Sequence, residues 1–180
     1  MRLDKRVLFI VPAVAALSAP LLVASGGEAE AAQAAGAVRG SLCAQGEVVL
    51  FHCGVGRKMV SVCGSNRGPA RAEYRYGAPG DLELAYPAPG QTPLTYAREI
   101  YSGGGAQQIR FTNGGYDYAV YSRTVRTGFG RGGNNPRVSD GLMVRRGDRL
   151  VSNRSCTTPV RSEGQIEDYM REGTILDWAD

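Results

Sequence analysis

The chain has 180 residues, with 21 lysine and arginine residues against 17 aspartate and glutamate residues, one histidine and four cysteines. This length fits one domain rather than two. A content of 43% hydrophobic and 21% charged residues excludes a disordered or collagen-like chain. A single histidine leaves little room for histidine-centred catalysis or a typical zinc site. Composition therefore indicates a globular protein without an evident catalytic motif.

The first 31 residues have the order of a secretory signal peptide. Three basic residues precede an apolar run over residues 7–24, and Ala29 and Ala31 form an Ala-x-Ala cleavage site. An uncleaved membrane anchor is the alternative, but eighteen residues is near the lower limit for a spanning helix, and Pro12 and Pro20 interrupt the run. We therefore expect a periplasmic or secreted mature chain that has no stable membrane insertion after cleavage.

The remainder of the chain consists of short alternating segments separated by turns. The clearest hairpin joins residues 108–112 and 116–123 through Asn113-Gly114-Gly115. No long apolar helix lies between the segments, which argues against a parallel α/β sheet. The pattern predicts an all-β fold, which is a small antiparallel barrel or sandwich of about eight strands. Residues 124–136 contain four glycines and are predicted to form a loose loop. The segments that we predict as strands are 47–53, 58–63, 73–76, 82–86, 95–101, 108–112, 116–123, 142–146 and 150–156.

Export changes the interpretation of the four cysteines, because an even number in an oxidising compartment favours disulfides. Two bridges among Cys43, Cys53, Cys63 and Cys156 can be drawn in three ways. If Cys53 lies opposite Lys58 in the first hairpin, Cys53 and Cys63 are on opposite faces and poorly placed to pair. We favour Cys53–Cys156, which closes the domain, with Cys43–Cys63, which holds its start. The face shared with Cys53 is predicted to carry Val49, Phe51, Val60 and Val62.

The C-terminal twenty residues differ from the rest in charge and in pattern. Residues 161–180 carry six acidic and two basic residues, whereas residues 32–160 carry eight acidic and sixteen basic residues. Ser162 and Gln165 have the spacing of a capping box, and Gly173 is placed to end a helix. We predict a short acidic C-terminal helix over 161–180 and favour its docking on the basic domain over a separate partner-binding role. One side of this helix would carry Ile166, Tyr169 and Met170.

The domain organisation follows from these boundaries. It consists of a signal peptide over 1–31, a flexible N-terminal segment over 32–42, a disulfide-bonded β domain over 43–160 and the acidic tail.

Enzymatic interpretations have weak support. His52 alternates with Leu50 and Val48 on a strand, and a lone strand histidine is usually structural. A Ser–His–Asp arrangement of His52, Asp117 and a loop serine lacks a nucleophile-elbow motif. A glycosidase needs two converging carboxylates, and no spacing selects a pair. We therefore expect a protein that is not an enzyme. The carboxylates considered are Glu47, Glu83, Glu99 and Asp117.

Neither a cofactor nor a metal site is predicted. Residues 128–133 match a dinucleotide-binding fingerprint, but no helix follows to bind a pyrophosphate. The cysteine spacings resemble no zinc pattern.

The tyrosines and arginines of the domain are residue types found in proteins that bind single-stranded nucleic acid, in which bases stack on aromatic rings beside arginine. Several tyrosines recur at period two, as strand residues do, and export removes the protein from most nucleic acid. We therefore expect no nucleic acid and favour a protein or an anionic envelope polymer as the partner. The tyrosines concerned are Tyr74, Tyr76, Tyr116, Tyr118 and Tyr121.

Four short segments occur in a familiar order: Phe51-His52-Cys53, Ser102-Gly103, residues 120–123 and residues 149–156. Together they resemble the membrane-bound and periplasmic inhibitors of c-type lysozyme, which are small bacterial β-barrels. The family has an aromatic-x-Cys strand, a Ser-Gly loop, an aromatic-x-Lys-Gly strand end and a last strand whose cysteine is bridged to the first. Here Arg123 stands in place of the lysine.

The resemblance implies loops that enter a lysozyme cleft, where a hydroxyl and a cation meet the catalytic carboxylates. Carried over to this chain, the contact residues are Tyr101, Ser102, Gly103, Tyr121 and Arg123, with Ser102 as the hydroxyl and Arg123 as the cation. We thus expect an exported, non-enzymatic binding protein that inhibits a lysozyme-type cell-wall hydrolase. The alternative is a barrel that binds an envelope polymer or carbohydrate through an Arg/Tyr surface.

Overall fold

The computed structural model describes residues 40–130 and 133–178. The predicted signal peptide lies outside the described residues. Ser41 and Leu42, which end the segment predicted to be flexible, are buried. Within the described ranges, no helix has the length and apolar character needed to cross a membrane.

Two sheets pack face to face as a β-sandwich, which confirms the predicted all-β fold and selects the sandwich over the barrel. The first sheet is an antiparallel meander in the order β1-β2-β3-β4, and the second has the order β10-β5-β6-β7-β8-β9. The strands of the first sheet are β1 (Val48–Val55), β2 (Lys58–Ser65), β3 (Arg71–Ala78) and β4 (Asp81–Tyr86). Those of the second are β5 (Thr95–Tyr101), β6 (Gly104–Asn113), β7 (Tyr116–Gly130), β8 (Gly133–Arg146), β9 (Arg149–Ser155) and β10 (Arg171–Glu172).

The core lies between the sheets and is built from the inward-facing residues of each strand. Its centre is aromatic, because Phe111 of β6 stacks on Tyr86 of β4 and Tyr118 of β7, with ring centroids 4.2 and 4.8 Å away. Tyr74 of β3 is tilted against Phe111 at 4.8 Å. Such pairs add about 0.5–1.5 kcal/mol each to the burial of their surface.

The first hairpin differs from its predicted register. Its turn has two residues, so Val55 pairs with Lys58, and Cys53 lies opposite Val60 rather than Lys58. A shift of two residues by itself moves no side chain to the opposite face of the sheet. A bulge between Val49 and Phe51 then changes the pattern further back along β1. The residues affected are Leu50, which enters the core with Phe51, and Val49, which turns to the outer face beside Cys63.

Both predicted disulfides are confirmed. Cys43–Cys63 ties the start of the domain to β2, and Cys53–Cys156 ties β1 of the first sheet to the residue that follows β9 of the second. The bridges have Cα–Cα distances of 5.4 and 5.6 Å, within the usual range.

The prediction of a loose loop over 124–136 is wrong. Strands β7 and β8 continue as one long hairpin in which Thr124 pairs with Val138 and Arg126 with Pro136. Two of the glycines that suggested a loop occupy special positions in this hairpin: Gly128 lies at a bulge with φ of +85°, and Gly133 has φ of +88°. Positive φ favours glycine at both positions.

The predicted C-terminal helix is also wrong, because the described part of the tail, residues 161–178, has a 3₁₀ turn at Ile166–Asp168 and no α-helix, and Gln165 provides no side-chain cap. The chain before it runs along β1, where Arg161 N–H donates to the His52 carbonyl and Glu163 N–H to the Val49 carbonyl. The chain after it is extended as β10, parallel to β5. Pairing at both ends leaves no length for an α-helix. The side chains predicted to dock still do so: Ile166 and Met170 are buried, and Tyr169 packs against the core.

Candidate functional site

The turn between β5 and β6 holds three of the predicted contact residues. Ser102 is exposed there, while the Tyr101 hydroxyl donates to the Thr124 carbonyl at 2.9 Å. Gly103 has φ of +94°, and its carbonyl accepts from Arg126 N–H at 2.8 Å. A Cβ on Gly104 would lie 1.9 Å from the Thr124 oxygen, so this close approach of two strands requires glycine. The glycine-rich turn is therefore firmly attached to β7.

The other two predicted contact residues lie on the outer face of the second sheet, beneath the C-terminal segment. The Tyr121 and Trp178 rings form a T-shaped contact with centroids 5.3 Å apart, and the Tyr121 hydroxyl donates to Asn153 Oδ1 at 2.9 Å. Burial raises the pKa of the Tyr121 hydroxyl. The guanidinium carbon of Arg123 lies 4.8 Å from the centroid of the Trp178 ring. The structure thus brings Tyr121 and Arg123 together under Trp178, while Ser102 remains in the exposed turn.

The residues considered for catalysis lie apart. His52 is buried on the outer face of the first sheet, with Nδ1 2.9 Å from Ser61 Oγ. Burial, and then the charge of Arg161, lower the pKa of the His52 imidazole. Asp117 lies on the outer face of the other sheet, where it accepts from the Thr112 hydroxyl at 2.6 Å. The sandwich therefore separates the histidine and the aspartate of the hypothetical triad.

The carboxylates considered for a glycosidase have separate surroundings. Glu47 pairs with Arg75 at 2.6 Å, and Glu83 with Lys58. Glu99 lies at a groove beside β1. Each carboxylate belongs to a different local contact, so the described residues present no pair at one cleft.

One group of side chains has the spacing of metal ligands within the described residues: Cys43, Glu47 and Cys63. Its two cysteines form a disulfide, so they offer no thiolate.

A cleft that the sequence did not reveal opens between β4 and β9, the edge strands of the two sheets. We call it the tyrosine cleft. Its volume is about 370 Å³, within the range of ligand pockets. Its walls are mainly aromatic and aliphatic, and polar side chains of β4 and β9 line it too. The apolar lining is Tyr74, Tyr76, Leu84, Tyr118, Leu142 and Val144, and the polar lining is Glu83, Ser152 and Arg154.

The charges at the tyrosine cleft are unevenly paired. Lys58 Nζ donates to Glu83 at 2.7 Å and lies 5.6 Å from the centroid of the Tyr76 ring. The hydrogen bond to Glu83 is the main cause that raises the pKa of Lys58. Arg154 forms no ion pair with any described residue. The cleft therefore has one cation, the solvent-exposed Arg154, without an ion-pair partner among the described residues.

A second, larger groove of about 570 Å³ lies at the opposite edge, beside β1 and the β5–β6 hairpin. Ile100 on its rim is 90% exposed, the most exposed large hydrophobic side chain within the described ranges. The groove extends to Ser122 and Thr124 of β7 and is close in the chain to the Ser102 turn. Its apolar lining includes Leu50, Phe51, Ala106 and Val160.

The sequence contained part of the signal for the tyrosine cleft. Tyr74, Tyr76 and Tyr118 stand out at period two, and a strand pattern assigns them to the core. Tyr74 is indeed buried, but Tyr76 and Tyr118 are half-buried. Which strand edges face each other depends on sheet order, which strand periodicity does not encode.

No protein-family model matches the chain, and no curated protein or solved structure is significantly similar to it. The resemblance to lysozyme inhibitors therefore rests only on the short motifs of the sequence.

Proposed function

We propose that the protein is an exported binding protein that holds an acidic sugar unit of an envelope polymer in the tyrosine cleft. The observation that carries this proposal is the unpaired Arg154 beside a tyrosine-lined cavity of about 370 Å³.

The lining suits a sugar ring. A pyranose has an apolar face of C–H groups and a rim of hydroxyls, so it matches a rigid aromatic wall bordered by hydrogen-bonding groups. Tyr76 and Tyr118 supply half-buried rings, and Glu83 and Ser152 supply an acceptor and a hydroxyl. The edge strands β4 and β9 also have backbone groups without a strand partner, which are available to hydroxyls.

The charge of the cleft favours an acidic sugar over a neutral one. Glu83 already compensates Lys58, whereas Arg154 has no carboxylate partner among the described residues. A planar guanidinium binds a carboxylate through two parallel hydrogen bonds. Residues 32–160 also have eight more basic than acidic residues, which attracts a polyanion over a longer distance.

Calorimetric titration with a hexuronic-acid oligosaccharide tests the proposal against a neutral oligosaccharide of the same length. Saturable binding of the acidic ligand is expected, with little heat from the neutral one. Arg154→Ala should weaken binding about tenfold, which is the loss of one charge-assisted contact. Arg149→Ala is the matched control, because Arg149 is an exposed cation on the same strand that does not line the cleft.

Two results would contradict the proposal. One is the absence of saturable binding by the folded protein. The other is an equal effect of Arg149→Ala and Arg154→Ala, which would indicate that the polymer binds to surface charge in general rather than to the cleft.

Inhibition of a lysozyme-type hydrolase is a second candidate, favoured by the firmly attached turn that exposes Ser102 beside the exposed Ile100. Exposed apolar and hydroxyl groups on a rigid loop suit insertion into a protein cleft. Arg123 has to engage the target's carboxylates from beneath Trp178 or after that ring moves.

A panel of lysozymes separates this candidate from sugar binding. The parent protein should slow at least one enzyme, and Ser102→Glu should remove inhibition because it places a carboxylate against the catalytic carboxylates. Arg123→Ala should also remove it, with the fold intact by circular dichroism. Full activity of every lysozyme with the parent protein would reject this candidate and leave the tyrosine cleft unaffected.

A further inference from the structure

Residues 173–178, which we call the C-terminal cover, lie extended across the outer face of the second sheet. Their backbone is held by a side chain: Gln108 donates to the Leu176 carbonyl at 2.8 Å and accepts from the Leu176 N–H at 2.7 Å. Gln108 is fully buried on β6. A carboxamide that satisfies both backbone groups of one residue reproduces the pairing of a neighbouring strand, whatever side chain that residue carries.

Two arginines extend this backbone recognition in both directions. Arg110 donates to the Thr174 carbonyl, and Arg145 donates to the Asp177 carbonyl, each at 2.8 Å. An apolar patch of Ala119, Tyr121 and Met143 lies on the same face, with Ala119 opposite Arg110, and receives the side chains of the cover. The face therefore has the elements of a peptide groove, which are backbone contacts along its length and a pocket for apolar side chains. The side chains received by that patch are Leu176 and Trp178.

The fit of the cover to this groove is incomplete. Four side-chain polar atoms within the described residues are buried without a hydrogen-bond partner, and three of them belong to this contact: Arg123 Nε, Arg145 Nε and Trp178 Nε1. A buried donor without a partner costs free energy, more so when it is charged. Neither Arg123 nor Arg145 has a carboxylate partner among the described residues, whereas Arg110 lies 3.9 Å from Asp117. A carboxylate at the position of Trp178 would lie against Arg123, whose guanidinium carbon is 4.8 Å from the Trp178 ring and whose Nε the cover leaves unpaired.

We propose that this groove is a docking site for an extended acidic segment of a partner protein, and that the protein's own residues 173–178 occupy it until that segment displaces them. Charge complementarity to Arg123 and Arg145 selects an acidic peptide, and the cover supplies its backbone geometry. The proposal uses the outer face of the second sheet and is independent of sugar binding in the tyrosine cleft.

The tether sets the conditions for displacement. The cover follows β10, which pairs with β5, and Gly173 N–H donates to the Tyr96 carbonyl at 2.7 Å. The cover is thus held near its groove at a high effective concentration, on the order of millimolar for a short tether. A partner segment must bind more tightly than the cover does. It can do so by forming hydrogen bonds with Arg123 Nε and Arg145 Nε, which the cover leaves unpaired.

The test uses the full chain with its cover weakened by Leu176→Ser and Trp178→Ser. A dye-labelled synthetic peptide with the sequence of residues 173–178 should bind this variant saturably, as measured by fluorescence anisotropy. It should bind the parent chain at least about tenfold more weakly, because the tethered cover competes. Gln108→Leu in the weakened background removes both backbone contacts and should abolish binding.

Acid preference is tested by two peptides that differ in charge alone. The peptide carrying Trp178→Glu should bind about tenfold more tightly than the one carrying Trp178→Gln, because only the carboxylate forms a charge-assisted pair with the guanidinium. Equal affinities, or no binding of any peptide to a folded variant, would overturn the proposal.

The parent protein provides a readout that does not depend on that variant. Trp178 is the single tryptophan of the chain, so its emission reports the cover alone. Excess Trp178→Glu peptide, which contains no tryptophan, should shift this emission to the red as the ring enters water. Unchanged emission while the peptide binds would show that it binds elsewhere and would overturn the displacement.

Discussion

Each sheet of the sandwich has its outer face covered by a segment outside its strands, and the two covers are built differently. The first sheet is covered by residues 41–43, which we call the N-terminal cover; Leu42 and Cys43 are buried, and a disulfide joins Cys43 to Cys63. Leu42 N–H donates to Ser61 Oγ at 3.0 Å, and its carbonyl accepts from Arg75 at 2.9 Å. At the C-terminus, the cover has no covalent link to its sheet in the described structure, and its large side chains are half-buried.

The polar groups at the two covers differ as well. On the first sheet, Arg75 is shared by Glu47, Glu73 and the Leu42 carbonyl, so the charge of this partly buried guanidinium is compensated. On the second sheet, donors of Arg123 and Arg145 are buried without a partner. A covalent and fully paired segment belongs to the fold, whereas a segment held by a few replaceable contacts opens at lower free energy. The difference indicates which outer face is available to a partner.

The largest loss of stability is expected when the two sheets that carry the covers are no longer joined by a disulfide. Cys53→Ser with Cys156→Ser removes the bridge between the sheets, which spans 103 residues. In the chain-entropy model its loss lowers the free energy of unfolding by about 4–5 kcal/mol. Urea denaturation should show this loss. A change below about 1 kcal/mol would mean that the core alone holds the sheets together.

Removal of the N-terminal bridge should have the next largest effect. Cys43→Ser with Cys63→Ser opens a link of 20 residues and should lower the free energy of unfolding by about 3 kcal/mol. The same denaturation experiment measures it, and reduction of the Cys53→Ser/Cys156→Ser variant, which retains the Cys43–Cys63 bridge, is an independent control. If this double variant is as stable as the parent, the first cover is not the structural one.

Removal of the C-terminal anchors should cost less. Leu176→Ser with Trp178→Ser removes two half-buried apolar side chains, which should lower the free energy of unfolding by about 1–2 kcal/mol. The unfolding midpoint should fall only slightly, and Val151→Ser, an exposed apolar residue of β9, serves as the control. A loss as large as that of the N-terminal disulfide would show that the second cover is equally part of the fold.

The smallest effect concerns pH and His52, which lies against Ser61 under the N-terminal cover. Burial lowers the pKa of its imidazole below the usual 6.5, so the unfolded chain takes up a proton first as pH falls. Stability from this residue is fully present above pH 6.5 and is lost between 6.5 and the lowered value.

His52 is the only histidine, which makes the measurement specific. The free energy of unfolding of the parent should decrease from pH 8 to pH 5 relative to that of His52→Gln. Parallel pH profiles for the two proteins would contradict the burial of a neutral imidazole.

Sequence reasoning predicted local features of the fold and missed those that depend on pairing. Period-two alternation identified most strands. The same alternation showed which face of the hairpin each cysteine occupies, and this led to the two disulfides even though the register of the first hairpin was shifted by two residues. The glycines of β7 and β8 suggested a loop, because composition does not show that Gly128 occupies a bulge within a paired strand. The capping-box spacing at Ser162 and Gln165 predicted a helix that pairing with β1 and β5 prevents.

The candidate sites show the same limit. Tyr121 and Arg123 were predicted as contact residues from a motif, but nothing in that motif indicates that Trp178, more than fifty residues later, covers them. The tyrosine cleft depends on which edge strands of two sheets face each other. Contacts between segments distant in sequence determined both results.

Hydrogen exchange of the native protein, measured residue by residue, tests the central difference between the two covers most directly. The Leu42 and Leu176 amides each donate to a side-chain oxygen, at 3.0 and 2.7 Å, so similar bonds are compared in different settings. The Leu42 amide should exchange at a rate near that of global unfolding. The Leu176 amide should exchange at least about tenfold faster, through local opening of the cover. Equal protection of the two amides would contradict the account, because the C-terminal cover would then be as much a part of the fold as the N-terminal one.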